Sequence, residues 1–227
     1  MKPNKKIDLF YERLTQWEGP LVFNPWVHGD PENDAHSRGP ALRLDNLKTY
    51  LDERGGAQYL LLAEALGYQG GHFTGIPMTS ERIVLGHKKG MGIFPDHVTQ
   101  IPLQRTSNTR VHGDGFNEPT ASIVWKKLID EGLDTRNFVF WNAFPWHPYK
   151  KEKGLLSNRT PTTTEMKLGK PVLEALLSAF KFKKIIALGN KADQSLNMLG
   201  IQAEKVRHPA MGGAELFRAQ FLKALDR

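Results

Sequence analysis

The chain has 227 residues, of which 40% are hydrophobic and 24% charged, a balance that excludes disorder over most of its length and suits a single α/β domain, residues 1–227. Its formal charge of +7 permits contact with a polyanion without selecting one. The absence of cysteine excludes disulfides and cysteine-ligated metal clusters, and with no signal peptide and no run of ~20 apolar residues we expect a soluble, cytoplasmic protein.

Apolar periodicity divides the chain into alternating elements. In chain order, it predicts a helix at 6–17, a loop at 24–40, a helix at 44–54, strands at 59–63, 138–141 and 184–188, a helix at 191–199, a strand at 203–207 and a helix at 214–225. Short apolar strands separated by helices are typical of a mostly parallel sheet that is covered on both faces. We therefore expect a three-layer α/β/α sandwich with a mostly parallel central sheet, and a ligand site where its strands end.

Three polar segments follow predicted strands. They read AEALGYQGGHFTGIP at 63–77, FVFWNAFPWHP at 138–148 and VRHPAMGG at 206–213. Singly, each has an ordinary explanation: Asn142 as a turn cap, His208 as a satisfied histidine and Phe73 as a core residue. The glycines lack the spacing of a nucleotide-phosphate loop. Because the ends of parallel strands share one edge of a sheet, however, we expect the three segments to meet in one cleft.

In this order, the three segments resemble the signature segments of the uracil-DNA glycosylase superfamily. The likeness runs over residues 23–221, most of the chain. It implies an enzyme that removes uracil, and possibly other deaminated bases, from DNA. It also implies that the enzyme needs no cofactor, acts as a monomer and flips the target base out of the duplex.

The resemblance assigns a role to one or more residues of each segment. His208 would donate a hydrogen bond to uracil O2 and stabilise the departing anion. Asn142 would read uracil, since its amide accepts from N3–H and donates to O4, a pattern that cytosine reverses. Phe73 would stack on the flipped base. Met211 would wedge into the space that the base leaves, with packing beneath its own loop as the alternative.

The first segment departs from the family pattern in three places. Ala65 stands where the best-studied branch has the Asp that positions water, and Glu64 matches the Glu of the GEAPG branch, so Glu64 is the candidate for water activation or else a structural carboxylate. Leu66 replaces the Pro of that motif. The GEAPG branch holds an iron–sulfur cluster on four cysteines, so this chain falls in a branch without one. Gly67 stands where a Tyr often blocks thymine, which predicts a looser pocket unless Tyr68 restores the block.

Three other functions compete with this one. A metal-dependent hydrolase would use histidines and aspartates in two loops, namely His28, Asp30, His36, His112 and Asp114, but these lack the spacing of a helical zinc motif. We therefore expect no metal. A non-catalytic protein that binds uracil-containing DNA is compatible with Ala65. A variant that bonds covalently to the sugar is disfavoured, because no basic insertion precedes His208.

Overall fold

The computed structural model describes residues 5–226. Its strands are β1 (Val22–Phe23), β2 (Tyr59–Ala65), β3 (Phe138–Phe144), β4 (His147–Pro148), β5 (Lys184–Leu188) and β6 (Glu204–Val206). Its helices are α1 (Lys5–Thr15), α2 (Gly39–Asp52), α3 (Gly71–Thr74), α4 (Glu81–Val84), α5 (Pro95–Val98), α6 (Pro119–Asp130), α7 (Thr163–Ala179), α8 (Gly189–Met198) and α9 (Ala214–Ala224). Short 3₁₀ turns lie at Lys89–Met91, Thr135–Asn137 and Lys151–Lys153.

Four strands form a parallel sheet in the order β3-β2-β5-β6. Every residue of β3 is buried, as expected for a strand that is covered on both faces. The register sets Ala63 of β2 opposite Asn142 of β3, and Ala65 opposite Phe144. β1 and β4 pair separately and antiparallel.

Helices flank the sheet, so the predicted three-layer α/β/α sandwich is confirmed. α7 packs on α1 and β3, α8 on β2 and β5, and α9 on β6. The chain runs from β2 to β3 on one side and then returns to β5 on the other, which creates a topological switch point beside β2. In open parallel sheets, such a point opens a crevice at the C-terminal strand ends. None of the helices in residues 5–226 is both long and apolar enough to span a membrane.

The structure extends two of the predicted strands and adds two long helices. The strands predicted to stop at residues 63 and 141 continue to Ala65 and Phe144, because their pairing outlasts the apolar run. α6 and α7 were absent from the prediction. Both carry start signals, a proline in the first turn of α6 and a capping box between Thr162 and Glu165 at α7.

Candidate active site

A cavity of about 540 Å³ opens at the C-terminal edge of the sheet. The ends of β2, β3 and β5 and the loop after β6 form its walls, so the three polar segments meet as predicted. Six residues with predicted roles line it: Glu64, Ala65, Gly67, Asn142, His208 and Met211. Its volume lies in the ordinary range for small-ligand sites.

Asn142 lines the cavity from β3, and the nitrogen of its side-chain amide is available to a ligand. The residue is 1% exposed, and its Nδ2 is buried without a hydrogen-bond partner anywhere in residues 5–226. Leaving a buried donor unpaired costs about 1–3 kcal/mol, so such a group is rarely left unused. This amide is therefore placed to donate to a ligand oxygen.

His208 presents a defined tautomer. Its Nδ1 accepts a hydrogen bond from the Ala210 N–H at 3.1 Å. Burial lowers the pKa of the imidazole, and the neighbouring Arg207 lowers it further, so the ring is neutral at pH 7. A neutral ring with Nδ1 accepting carries its proton on Nε2. His208 therefore offers an Nε2–H donor, an assignment that the sequence left open.

Glu64 lies at the end of β2 and pairs with a lysine at the cavity wall. Its Oε2 is 3.7 Å from Lys191 Nζ, and Lys191 also donates to Thr160 Oγ1 at 2.6 Å. Burial raises the pKa of the Glu64 carboxyl, while Lys191 acts to lower it. The carboxyl is thus a cavity group with a charged partner, which suits either of the two predicted roles.

Phe73 lies away from the position that was predicted for it. The residue is fully buried and stacks on Phe116 with a ring-centroid distance of 3.9 Å, and it does not line the cavity. The short helix α3 turns this side chain into the core. Met78, five residues further on, supplies an apolar side chain to the cavity wall instead. Sequence reasoning missed Met78 because an aromatic residue stood nearby.

Glu118 is a second cavity carboxyl that sequence reasoning missed. It immediately precedes α6, and its Oε2 is buried without a partner in the described part of the chain. The carboxyl occupies the space where a side chain at Gly70 would lie, so the glycine is needed for this close approach. Burial raises the pKa of Glu118 to about 7. An acidic residue directly before the helix-initiating Pro119 was the available sequence signal.

A family model, described as the uracil DNA glycosylase superfamily, matches residues 92–223, more than half of the chain. The chain belongs to the uracil DNA glycosylase superfamily. Among solved structures, wild-type SMUG2 of Pedobacter heparinus is similar, with a TM-score of 0.57 and 13% sequence identity over 97% of both chains. At that identity the likeness shows the fold alone. No curated protein matches the chain significantly.

Gly67 and Tyr68, from the glycine-rich loop after β2, lie at two different cavities. Gly67 lines the cavity, and a Cβ there would lie in van der Waals contact with the Asn158 amide, 3.6 Å away. Tyr68 does not line this cavity but a second, shallower depression of about 410 Å³ beside Phe116. Its backbone N–H donates to Asn158 Oδ1 at 3.1 Å. Tyr68 is therefore not part of the wall of the first cavity in this structure.

The rim of the first cavity carries three basic side chains and one exposed apolar side chain. Arg159, Lys191 and Arg207 lie around it. Met211 is 97% exposed and adopts a left-handed backbone conformation, with φ of 53°. The side chain therefore does not pack beneath its own loop, which was the alternative to a role as a wedge in DNA. Exposed apolar tips among cations are what an intercalating loop requires.

The residues that the metal hypothesis named contact different partners and do not form one cluster in residues 5–226. Asp30 pairs with His72 at 3.1 Å, and His72 contacts His147 at 3.0 Å in a buried chain outside the cavity. His28 Nδ1 accepts from the Asn24 N–H. Within the described residues 5–226, no three side chains of the metal-binding types group around a common point. His72 and His147 were not singled out by sequence.

Proposed function

We propose that this protein is a monofunctional uracil-DNA glycosylase, which hydrolyses the bond between uracil N1 and deoxyribose C1′ and so initiates base excision repair. One observation carries the proposal: Asn142 Nδ2 and His208 Nε2 are both left without partners in the described chain and belong to one cavity. These donors suit uracil O4 and O2, the oxygens over which the charge of the leaving base spreads. Superfamily membership supports DNA as the partner.

Binding requires that the base leave the duplex. The base would enter the cavity against Met78, whose flexible apolar side chain packs on a ring without selecting among bases. Met211 would fill the vacated stack, while Lys191 and Arg207 hold phosphates. Because Gly67, which lines the cavity, has no side chain, the proposal extends to hypoxanthine and mismatched thymine.

Cleavage then follows from stabilisation of the base as an anion. The N1–C1′ bond breaks with its electron pair on the base, water adds its hydroxyl to C1′, and the proton of that water returns to the excised uracil. Hydrogen bonds from Asn142 and neutral His208 strengthen as charge develops, which lowers the barrier. Ala65 has no polar atom, so we assign the orientation of water to Glu64, which lines the same wall.

Ala65 also favours a second candidate, a non-catalytic protein that holds uracil-containing DNA. In this case Asn142 would read the base and no bond would break. Both candidates bind uracil-containing DNA, but only the glycosylase produces an abasic site.

The deciding experiment uses end-labelled duplexes that carry one uracil, hypoxanthine or mismatched thymine, incubated with the protein in EDTA and then treated with hot alkali. The proposal expects strand cleavage at uracil in the presence of the chelator. Retained binding without cleavage would establish the non-catalytic binder, and cleavage that EDTA abolishes would establish metal dependence.

A pair of histidine variants makes the assignment specific. His208→Ala removes the O2 donor, and we expect excision to fall about 100-fold or more. His36→Ala is the matched control, because His36 is exposed and lies outside the cavity. Equal rates for the two variants would remove His208 from the mechanism.

A further inference from the structure

Two residues that line the cavity each carry a buried polar atom without a hydrogen-bond partner in residues 5–226. One is Nδ2 of Asn142, and the other is Oε2 of Glu118, from the start of α6. The two are not hydrogen-bonded to each other. An unmet donor and an unmet carboxyl oxygen on residues that line one cavity are each costly, and a ligand that meets both relieves both costs.

Glu118 has no cation to neutralise it. Charged or titratable groups line the cavity from β2, the segment before α7, α8 and the loop after β6, namely Glu64, Arg159, Lys191, Arg207 and His208. In the described chain, none of them forms an ion pair with Glu118. From α4, Glu81 turns elsewhere, since its carboxylate accepts from the backbone N–H groups of Thr106, Ser107 and Phe116.

An unpaired carboxyl in such a place favours its neutral form. Burial is the sole cause of the raised pKa of Glu118, about 7, so the group carries a proton through the mildly acidic range and up to neutrality. In this form it is a hydrogen-bond donor as well as an acceptor.

We propose that Glu118 is a base-contacting residue, whose neutral carboxyl donates a hydrogen bond to the same exocyclic O4 that Asn142 binds, and whose ionised form opposes excision. The inference rests on the proposed function. A carbonyl oxygen has two lone pairs, and Asn142 uses one of them. Two neutral donors at O4 and one at O2 would spread stabilisation over the whole anion, whereas a carboxylate at that place would repel it.

Selection against cytosine stays with Asn142. Cytosine carries an amino group at C4, so the Asn142 Nδ2–H would point a donor at a donor, and a buried donor left unpaired in this way allows a site to reject an analogue strongly. Neutral Glu118 can present its carbonyl oxygen to that amino group, so the inference gives Glu118 a part in stabilising the uracil anion and none in excluding cytosine.

The test compares the pH profiles of single-turnover uracil excision for the wild type and Glu118→Gln, between about pH 5.5 and 9. The glutamine keeps a donor and never ionises. We expect wild-type activity to fall up to about tenfold per pH unit above the Glu118 pKa of about 7, and the variant to stay level there. At alkaline pH the variant would then exceed the wild type, an outcome that damaged folding does not produce. Glu32→Gln, an exposed carboxylate outside the cavity, is the matched control.

Other outcomes overturn the inference. A variant that retains the wild-type alkaline decline shows that Glu118 does not contact the base. A variant whose loss grows with pH shows that Glu118 acts as a base toward water. On the acidic side of the pH–rate profile, we expect a decline from protonation of His208, whose pKa lies below its usual value. This decline should be the same in both proteins, so it does not obscure the comparison.

A binding measurement separates this inference from the proposed function. Duplexes with one 2′-fluoro-deoxyuridine resist hydrolysis and report affinity alone. If the wild type excises no uracil, the proposed function fails, and affinity still decides the role of Glu118. Affinity that declines at alkaline pH in the wild type but not in Glu118→Gln supports the contact, and identical profiles or no binding overturn it.

Discussion

Gly189 lies directly against His208. A Cβ at Gly189 would be 2.7 Å from the Cβ of His208, and the glycine has a positive φ of 86°. It directly follows the last residue of β5 and begins α8, so the sheet sets the position of the loop that carries the histidine. Steric room and backbone conformation therefore both require glycine here.

Substitution of Gly189 by alanine is expected to displace His208. A shift of about 1 Å in a catalytic group can lower a rate about 100-fold, and we expect a loss of at least about tenfold in uracil excision. The strained φ should also lower the thermal stability. Gly90→Ala, where a Cβ meets nothing within 4 Å, is the matched control. Full activity in Gly189→Ala would mean that the His208 loop is not held by β5.

Substitution of Asn142 by aspartate is expected to relax base selection. The carboxylate replaces the Nδ2 donor by an acceptor, which suits the C4 amino group of cytosine and not uracil O4. We expect uracil excision to fall about 100-fold and cytosine excision to become measurable, by the same alkaline cleavage assay. Folding is checked by circular dichroism, since a buried charge at a 1% exposed position is costly. A folded variant that still ignores cytosine would contradict base reading by Asn142.

Substitution of Met211 by alanine is expected to slow uracil excision from duplex DNA and not from single-stranded DNA. Because the side chain is 97% exposed, its loss should leave the melting temperature unchanged. Excision from a duplex should fall about tenfold, since unstacking a base step costs a few kcal/mol that the wedge helps to offset. Single-stranded substrate needs no wedge and should be cut at the wild-type rate. Equal losses on both substrates would assign Met211 a different task.

Glu118 is expected to make folding stability decline with pH. A carboxyl whose pKa is raised from 4.5 to about 7 binds more protons folded than unfolded in that window. The free energy of unfolding should therefore fall as pH rises through it, by up to about 1.4 kcal/mol per pH unit. His147 has the opposite effect. Burial lowers its pKa from 6.5 to about 3, so the free energy of unfolding should rise with pH between those two values. The difference between wild type and Glu118→Gln isolates Glu118, and parallel melting curves at all pH values would refute its buried ionisation.

Much of the fold could be predicted because its signals are local. The apolar run at Lys184–Leu188 matches β5 residue for residue, and a strand buried on both faces needs such a run. α7 was missed although Thr162 and Glu165 form a capping box, because Gly169 and Pro171 interrupt its pattern. These two residues predict an interruption of the helix, but packing of α7 on β3 stabilises it.

The sequence by itself determined the α/β class, the superfamily and the meeting of three polar segments, since parallel strands all end at one edge of their sheet. Only the tertiary structure decided that Phe73 packs in the core while Met78 lines the cavity, and that Glu118 reaches the cavity from a segment far along the chain. The physical reason is that burial, hydrogen-bond satisfaction and the resulting pKa depend on neighbours distant in sequence, and no local pattern encodes them.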